Sequence, residues 1–410
     1  MDGAQGSDTG VRYIMVAESP FQPANGGGEQ ESTGMALALA AAGRLAAVVV
    51  PTVRPLNVEP FRELLGDVPI IESPRSMRPT RLLHPTAPFV IASRRAGPGL
   101  VPTLSRVAPG AGAVLVAAYK AHGLGATIAA GLRLPAVLRM HNIEGDYHTS
   151  VARSARGPKR AVLALEARRV RRDELALGRA PWLQGIADIS SKDAGQRRST
   201  ATVPVIHVPP FRSVSLPPPR CPDAGSVVFL GALDIATNHD ALDWLLGQVW
   251  PLVLRQAPDT LLRVVGRRPS AALVNRLAGM AGVELLGDVE DLGPVLSSTA
   301  LAVNPAVSGS GVNIKLLDYL SAAVPTVTTP LGVAGLDLSP GEGVAVASTA
   351  ADFAAELCRL LGDHAAAAAM GSSGHRRLSE LLSPSAGLQA LDSLVAGAQV
   401  YPAGTAIDRS

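Results

Sequence analysis

Short runs of β-branched and aliphatic residues alternate along the chain with longer Ala- and Leu-rich stretches, through both halves. That pattern predicts strands covered by helices on both faces, the parallel α/β arrangement. In the first half RYIMVA (12–17), AAVVVP (46–51), AVLVAAY (113–119) and AVLRM (136–140) read as strands, with helices over 29–42, 122–132 and 158–178. In the second half the strands are SVVFLG (226–231), LLRVVG (261–266), VELLG (283–287), LAVNP (301–305) and VPTVTT (324–329). Helices fall between them at 238–255, 270–279, 312–322 and 351–361.

The halves meet across VIHVPPFRSVSLPPPRCPD (205–223), too rich in proline to continue a helix or a central strand. The expected organisation is a doubly wound domain over 1–204, a linker over 205–223, a second doubly wound domain over 224–380, and a C-terminal helix and tail over 381–410. HAAAAAMGSSGHRRLSELLS reads as a helix with a Gly/Ser break, and the last ten residues as frayed. Open α/β sheets bind ligands at the carboxyl ends of their strands, so the site is expected in the cleft between the two domains.

Composition refines this picture. A length of 410 residues suits roughly two domains, and with 47% apolar but only 3% aromatic residues the cores must be Ala, Val and Leu. A net charge of +3 is too mild to argue nucleic-acid binding. Cys221 and Cys358 lie far apart and suit neither a disulfide framework nor a zinc site, which points to a reducing compartment. The polar first ten residues show no signal-peptide pattern, and the longest apolar region is interrupted at Gly43 and Arg44, short of the ~18 residues of a membrane span. A cytoplasmic protein is expected. The basic stretch 153–179, with Glu166, Asp173 and Glu174 interleaved, reads as a solvated helix packed on the first domain, or alternatively as a surface for anionic lipid or a lipid-linked acceptor. It carries no Phe or Trp anchor.

The most chemical stretch is NPAVSGSGVNIK, which leaves a strand and opens a helix. Gly309 and Gly311 let backbone approach a ligand, and free N–H groups of Ser310, Gly311 and Val312 at the helix start would favour phosphate. Lys315 adds a full charge one turn in, and Asp318 is placed to accept from ribose hydroxyls. A plainer reading has Ser310 as an N-cap and Lys315 paired with Asp318 at i,i+3. A dinucleotide fingerprint fails at Ile314.

VVFLGALDIATNHDALDWLLGQVWP, LLRVVGRRP, VELLGDVEDL and NPAVSGSGVNIKLLDYLSAAVPTVTTPLGVAGL together resemble the retaining GT-B glycosyltransferases of glycosyltransferase family 4, most closely the exopolysaccharide-type sugar transferase branch. The likeness covers most of 226–336, with weaker echoes in the first half. It implies two Rossmann-like domains facing across a cleft, with a nucleotide-sugar donor as co-substrate on the second and a hydroxyl acceptor mainly on the first. Gly231 and Arg267 join the donor set, as does Val289 in the GDVEDL loop near the base. His141 at the end of AVLRM is placed near the donor sugar, with Asn142 and Glu144 beside it. Gly26, Gly27 and Gly28 match the family's first glycine-rich loop, which lines the cleft; a merely structural loop would look the same.

The chain departs from the family at three positions. Ser310 stands where the wider family has its first Glu, with Asp318 matching the second. Ala232 and Thr237 stand where the family clamps the diphosphate with Arg and Lys. No D-x-D, H-E-x-x-H or G-x-S-x-G is present, so no metal is expected. The expected activity is metal-independent, retaining sugar transfer. The alternatives are a degenerate protein that binds a sugar nucleotide or glycan without transfer, and an enzyme using an unusual modified-sugar or cyclitol nucleotide.

Overall fold

The computed structural model describes residues 10–397 apart from Asn25, 79–83, Pro85 and Pro218. The polar first nine residues and the tail from 398 onward lie outside the described residues.

The first sheet contains seven parallel strands: β1 (Tyr13–Val16), β2 (Leu45–Thr52), β3 (Ile70–Pro74), β4 (Ala113–Val116), β5 (Ala136–Met140), β6 (Leu183–Asp188) and β7 (Val205–His207). Their spatial order is β3-β2-β1-β4-β5-β6-β7. The second has six: β8 (Ser226–Leu230), β9 (Leu261–Val265), β10 (Val283–Gly287), β11 (Leu301–Asn304), β12 (Thr326–Thr328) and β13 (Val344–Val346), in the order β10-β9-β8-β11-β12-β13.

Both sheets are covered on both faces, which is why their strands read as continuous apolar runs. In β1, Ile14 and Val16 join one core while Tyr13 and Met15 join another; in β8, Val227 and Phe229 face away from Val228 and Leu230 in the same manner. No helix among the described residues is long and apolar enough to cross a membrane.

Several sequence expectations shift. β3, β6, β7 and β13 were not anticipated; β7 places the start of the 205–223 linker inside the first sheet. β7 pairs with β6 at Ile186, Ala187 and Asp188, a partnership set by the neighbouring strand rather than by its own three residues. The Ala-rich segment His364–Leu381 is one unbroken helix. Its Gly371 and Gly374 allow close backbone packing, where a Cβ would fall on the Ala323 carbonyl oxygen and on Gly343. The helix Pro384–Ala396 returns to the first domain: Leu388, Leu391 and Leu394 share a core with Tyr13 and Met15, and the Tyr13 hydroxyl donates to Asp392 at 2.8 Å.

Candidate active site

In each sheet the strand order reverses between two neighbours, β1 and β4 in the first and β8 and β11 in the second. Loops leaving the strands of the two sheets approach each other, Gly26 with Arg267, Gly27 with Ile314 and Gly311 with His141, at the general ligand position of open α/β sheets. Glu18 and the Gly26 loop follow β1, Lys120 follows β4, Gly231 follows β8, and Gly309 to Gly311 follow β11.

The Gly309–Gly311 turn is one point of contact between the domains. Gly309 has φ +117° and Gly311 φ +79°, and a Cβ on Gly311 would fall on the His141 carbonyl oxygen across the cleft. This corrects one expectation: the Gly311 N–H is not free for a phosphate but donates to Asp193 Oδ2 at 3.0 Å. The helix also starts later than predicted, at Ile314 with Asn313 as a cap that makes no side-chain bond, so the unpaired first-turn donors sit beyond Val312. Asn142, with its amide turned so that Nδ2 donates, bonds the carbonyls of His141 and Ser310 at 3.0 Å each. Ser310 Oγ is buried without a partner among the described residues.

We expect Gly311→Ala to strain the left-handed turn and push the domains apart at His141, weakening nucleotide binding at least about tenfold while leaving each domain folded. Calorimetric titration beside a melting curve checks this, and wild-type affinity in the variant would show that the contact is dispensable.

Lys315 is partly buried on the second domain. Its Nζ donates to Asn238 Oδ1 at 2.8 Å and lies 4.6 Å from the Phe229 ring centre, and burial pulls its pKa down to about 7. It does not pair with Asp318. That carboxylate instead accepts from Arg212 of the linker at 2.7 Å; burial pushes its pKa up and Arg212 opposes the shift. Asn238 had no signal in the sequence reading; its Nδ2 also donates to the Ala232 carbonyl at 3.0 Å, and Gly231 leaves room for its amide. Arg267 reaches across the cleft, with Nη2 3.2 Å from where a Cβ on Gly26 would stand and Nε buried without a partner among the described residues. Val289 is partly buried, packed against a core of the second domain.

On the first domain, His141 Nε2 is buried with no hydrogen-bond partner among the described residues, and burial lowers its pKa, so the ring is neutral at pH 7. Glu144 opens the helix Glu144–Ser154, whose first N–H groups, those of Glu144 and Gly145, donate to Glu174 at 3.1 and 2.9 Å. Burial pushes the Glu144 carboxyl up to about 7 against the pull of Lys120. His148 Nε2 stands 3.8 Å from it, lowered to about 4 by burial. Of the glycine loop, only Gly26 is outside the helix; Gly27 and Gly28 form its first turn (Gly27–Ala41), because Gly26 already caps it in an extended conformation. At Gly27 a Cβ would come within 2.7 Å of Ile314 of the other domain.

Two parallel α/β domains in this arrangement superpose on solved structures of other proteins. HepE of Anabaena in complex with UDP-glucose aligns over 94% of this chain and 99% of that one, with a TM-score of 0.63 and 14% identity. Sucrose-phosphate synthase from Thermosynechococcus elongatus aligns over 94% and 98%, with a TM-score of 0.66 and 16% identity. The fold is GT-B. Within this GT-B chain, residues 224–363 match the family described as Glycosyl transferases group 1. An uncharacterized 44.6 kDa protein in the cps region of Klebsiella pneumoniae is 28% identical over 159 residues, 37% of this chain and 39% of that protein's length. The domain matched to the group 1 transferases is thus the one that brings Lys315 to the GT-B cleft.

Proposed function

We propose that this protein is a retaining, metal-independent glycosyltransferase that moves a sugar from a nucleoside-diphosphate sugar to an acceptor hydroxyl. The observation that carries this reading is the meeting of the two domains at Gly311, where a Cβ would fall on the His141 carbonyl oxygen, four residues before Lys315 in the segment matched to group 1 transferases.

In this reading the first turn at Ile314 and the Lys315 ammonium take the charge that develops on the departing diphosphate. Arg267 adds a second cation from its own side of the cleft. The acceptor hydroxyl attacks from the face the diphosphate leaves, and its proton passes to a diphosphate oxygen, so the enzyme supplies no nucleophile. His141, neutral, orients a sugar hydroxyl with its unpartnered Nε2. Asp318 meets the ribose once it shares or releases Arg212. Metal independence rests on cationic side chains taking the role that a divalent ion would fill.

Thermal melting against UDP, GDP, ADP, dTDP and their sugar conjugates, without added metal, tests the donor site. One base at 100 times its dissociation constant should add ~2.7 kcal/mol to the folded state. Folded protein that responds to none of them contradicts ordinary donor binding and leaves an unusual donor, a modified sugar or cyclitol nucleotide. The fully engaged Gly311 N–H and the residues Ser310, Ala232 and Thr237 favour a second reading, a protein that binds a sugar nucleotide without transfer. Release of free nucleoside diphosphate from a bound donor separates the two.

The polysaccharide setting of the Klebsiella relative supports a glycan or lipid-linked acceptor. So does the helix Pro158–Leu177, whose acids Glu166, Asp173 and Glu174 are engaged on its inner side. Its outer side presents Val162, Leu165 and Leu175 beside Arg168, Arg171 and Arg172, a face suited to peripheral contact with anionic lipid at the cytoplasmic surface.

A further inference from the structure

Beside His141, three cations of the first domain surround one carboxylate, and none of them has a part in the donor chemistry above. Glu18 and Lys120 leave β1 and β4, the strands that flank the reversal of sheet order, and their side chains pair at 3.2 Å. Arg94, 4% exposed, donates from Nε to the Glu18 carbonyl at 2.6 Å. Its Nη1 is taken up by Val90 and Ser93, so its position is set by the fold. Arg75 is joined to Arg94 by an isolated antiparallel bridge, reinforced by the Ser76 N–H donating to the Ser93 carbonyl at 2.8 Å.

The charges do not balance. Arg75 Nε is buried with no partner among the described residues. Burial lowers Arg75, and burial with Arg75 beside it lowers Arg94 to about 10. Against the upward push of burial, Lys120, His141 and Arg94 hold Glu18 at about 2. The other carboxyl acting on Lys120 is Glu144, itself raised to about 7. The cluster therefore sets Arg75, Arg94 and Lys120 around the single carboxylate of Glu18, with Glu144 raised by burial at its edge. A guanidinium with a buried unused donor, set beside a second desolvated guanidinium, is unfavourable unless an anion completes it.

The geometry points to an oxyanion subsite for the acceptor: Arg75, Arg94 and Lys120 receive a phosphate or carboxylate group carried by the molecule that accepts the sugar. Guanidinium forks match both anions, and the placement next to His141 sets the acceptor's charged group on the first-domain side of the cleft. The word acceptor rests on the transfer reading; the anion site itself does not.

The test is calorimetric titration of the full chain with methyl phosphate and with glucuronate, using wild type, Arg75→Gln and Lys315→Ala. At least one probe binds wild type, its affinity falls about tenfold or more in Arg75→Gln, and it holds in Lys315→Ala. Preference for methyl phosphate indicates a phosphate-linked acceptor, and preference for glucuronate an acidic sugar. No binding of either probe overturns the proposal, as does a change of less than roughly threefold in Arg75→Gln. A loss in Lys315→Ala as large as in Arg75→Gln assigns the anion to the donor site and also overturns it. Should Arg75→Gln fail to fold by its melting curve, Lys120→Gln carries the same comparison. Nucleotide response without anion response sinks this inference alone; anion response without nucleotide response contradicts transfer from an ordinary donor and leaves the anion site standing.

Discussion

Lys315→Ala lowers the rate of sugar transfer by at least ~10²-fold, the scale of losing one preorganised donor to a developing oxyanion. The size follows from the setting. Lys315 is partly buried, fixed by a 2.8 Å bond to Asn238, and sits in the first turn of the helix Ile314–Ser321. Its partial burial beside the Phe229 ring leaves its charge less screened than in bulk water. The same burial makes binding proton-linked. With its pKa near 7, Lys315 is about half neutral in the free protein at neutral pH, and a bound diphosphate restores the charged form. Nucleotide binding therefore takes up a fraction of a proton, more at pH 8 than at pH 6. Titration calorimetry in two buffers of different ionisation heat reads this directly, and Lys315→Ala abolishes it. Stability moves with the same group. Between about 7 and the ordinary 10.5 the unfolded chain binds the proton and the folded chain does not, so this lysine makes folding more favourable as pH rises through that window. Normal turnover in Lys315→Ala would remove the residue from the mechanism.

Glu31→Ala destabilises the first domain by ~3–5 kcal/mol, the range for breaking a buried ion pair and stranding its partner. Arg139 is fully buried and Glu31 nearly so, with Arg139 Nε and Nη2 bonded to Glu31 Oε1 at 2.9 and 2.6 Å. The pair also ties down the interdomain segment. Glu31 Oε2 accepts from the Phe211 N–H at 3.0 Å, and Arg139 donates to the carbonyls of Val208 and Pro209. Removing the carboxylate leaves a charged guanidinium without a counterion and frees the chain just before Arg212, the partner of Asp318. The first-domain transition in denaturant should shift to lower midpoint with an unchanged slope. Glu31→Leu combined with Arg139→Met should recover much of the loss, since an apolar pair of similar volume no longer buries charge. A single-variant loss below ~1 kcal/mol would mean that water reaches the guanidinium.

The alternation of apolar runs and helical stretches was enough to read two doubly wound domains, since a strand buried on both faces must be apolar throughout, while the GT-B class came from the family resemblance of 226–336. That His141 follows β5 directly and that Gly309 and Gly311 lie in the loop after β11 was legible too, as was the place of Lys315 at a helix start. The short strands β7 and β13, of three residues each, were not legible, because their pairing depends on a neighbour that exists only after folding. Nor was the unbroken helix His364–Leu381, whose glycines mark close contact rather than a break.

What the sequence determined by itself is what neighbours along the chain can decide: periodicity, turns, and which residue ends which strand. What only the tertiary structure decided is partnership. Asp193 takes the Gly311 N–H from 118 residues away, Arg212 rather than Lys315 holds Asp318, Asn238 positions Lys315, and Arg75 and Arg94 meet beside Glu18. Those pairings arise because burial forces each desolvated charge or amide to find whichever partner the packing brings near, and no local pattern encodes that distance.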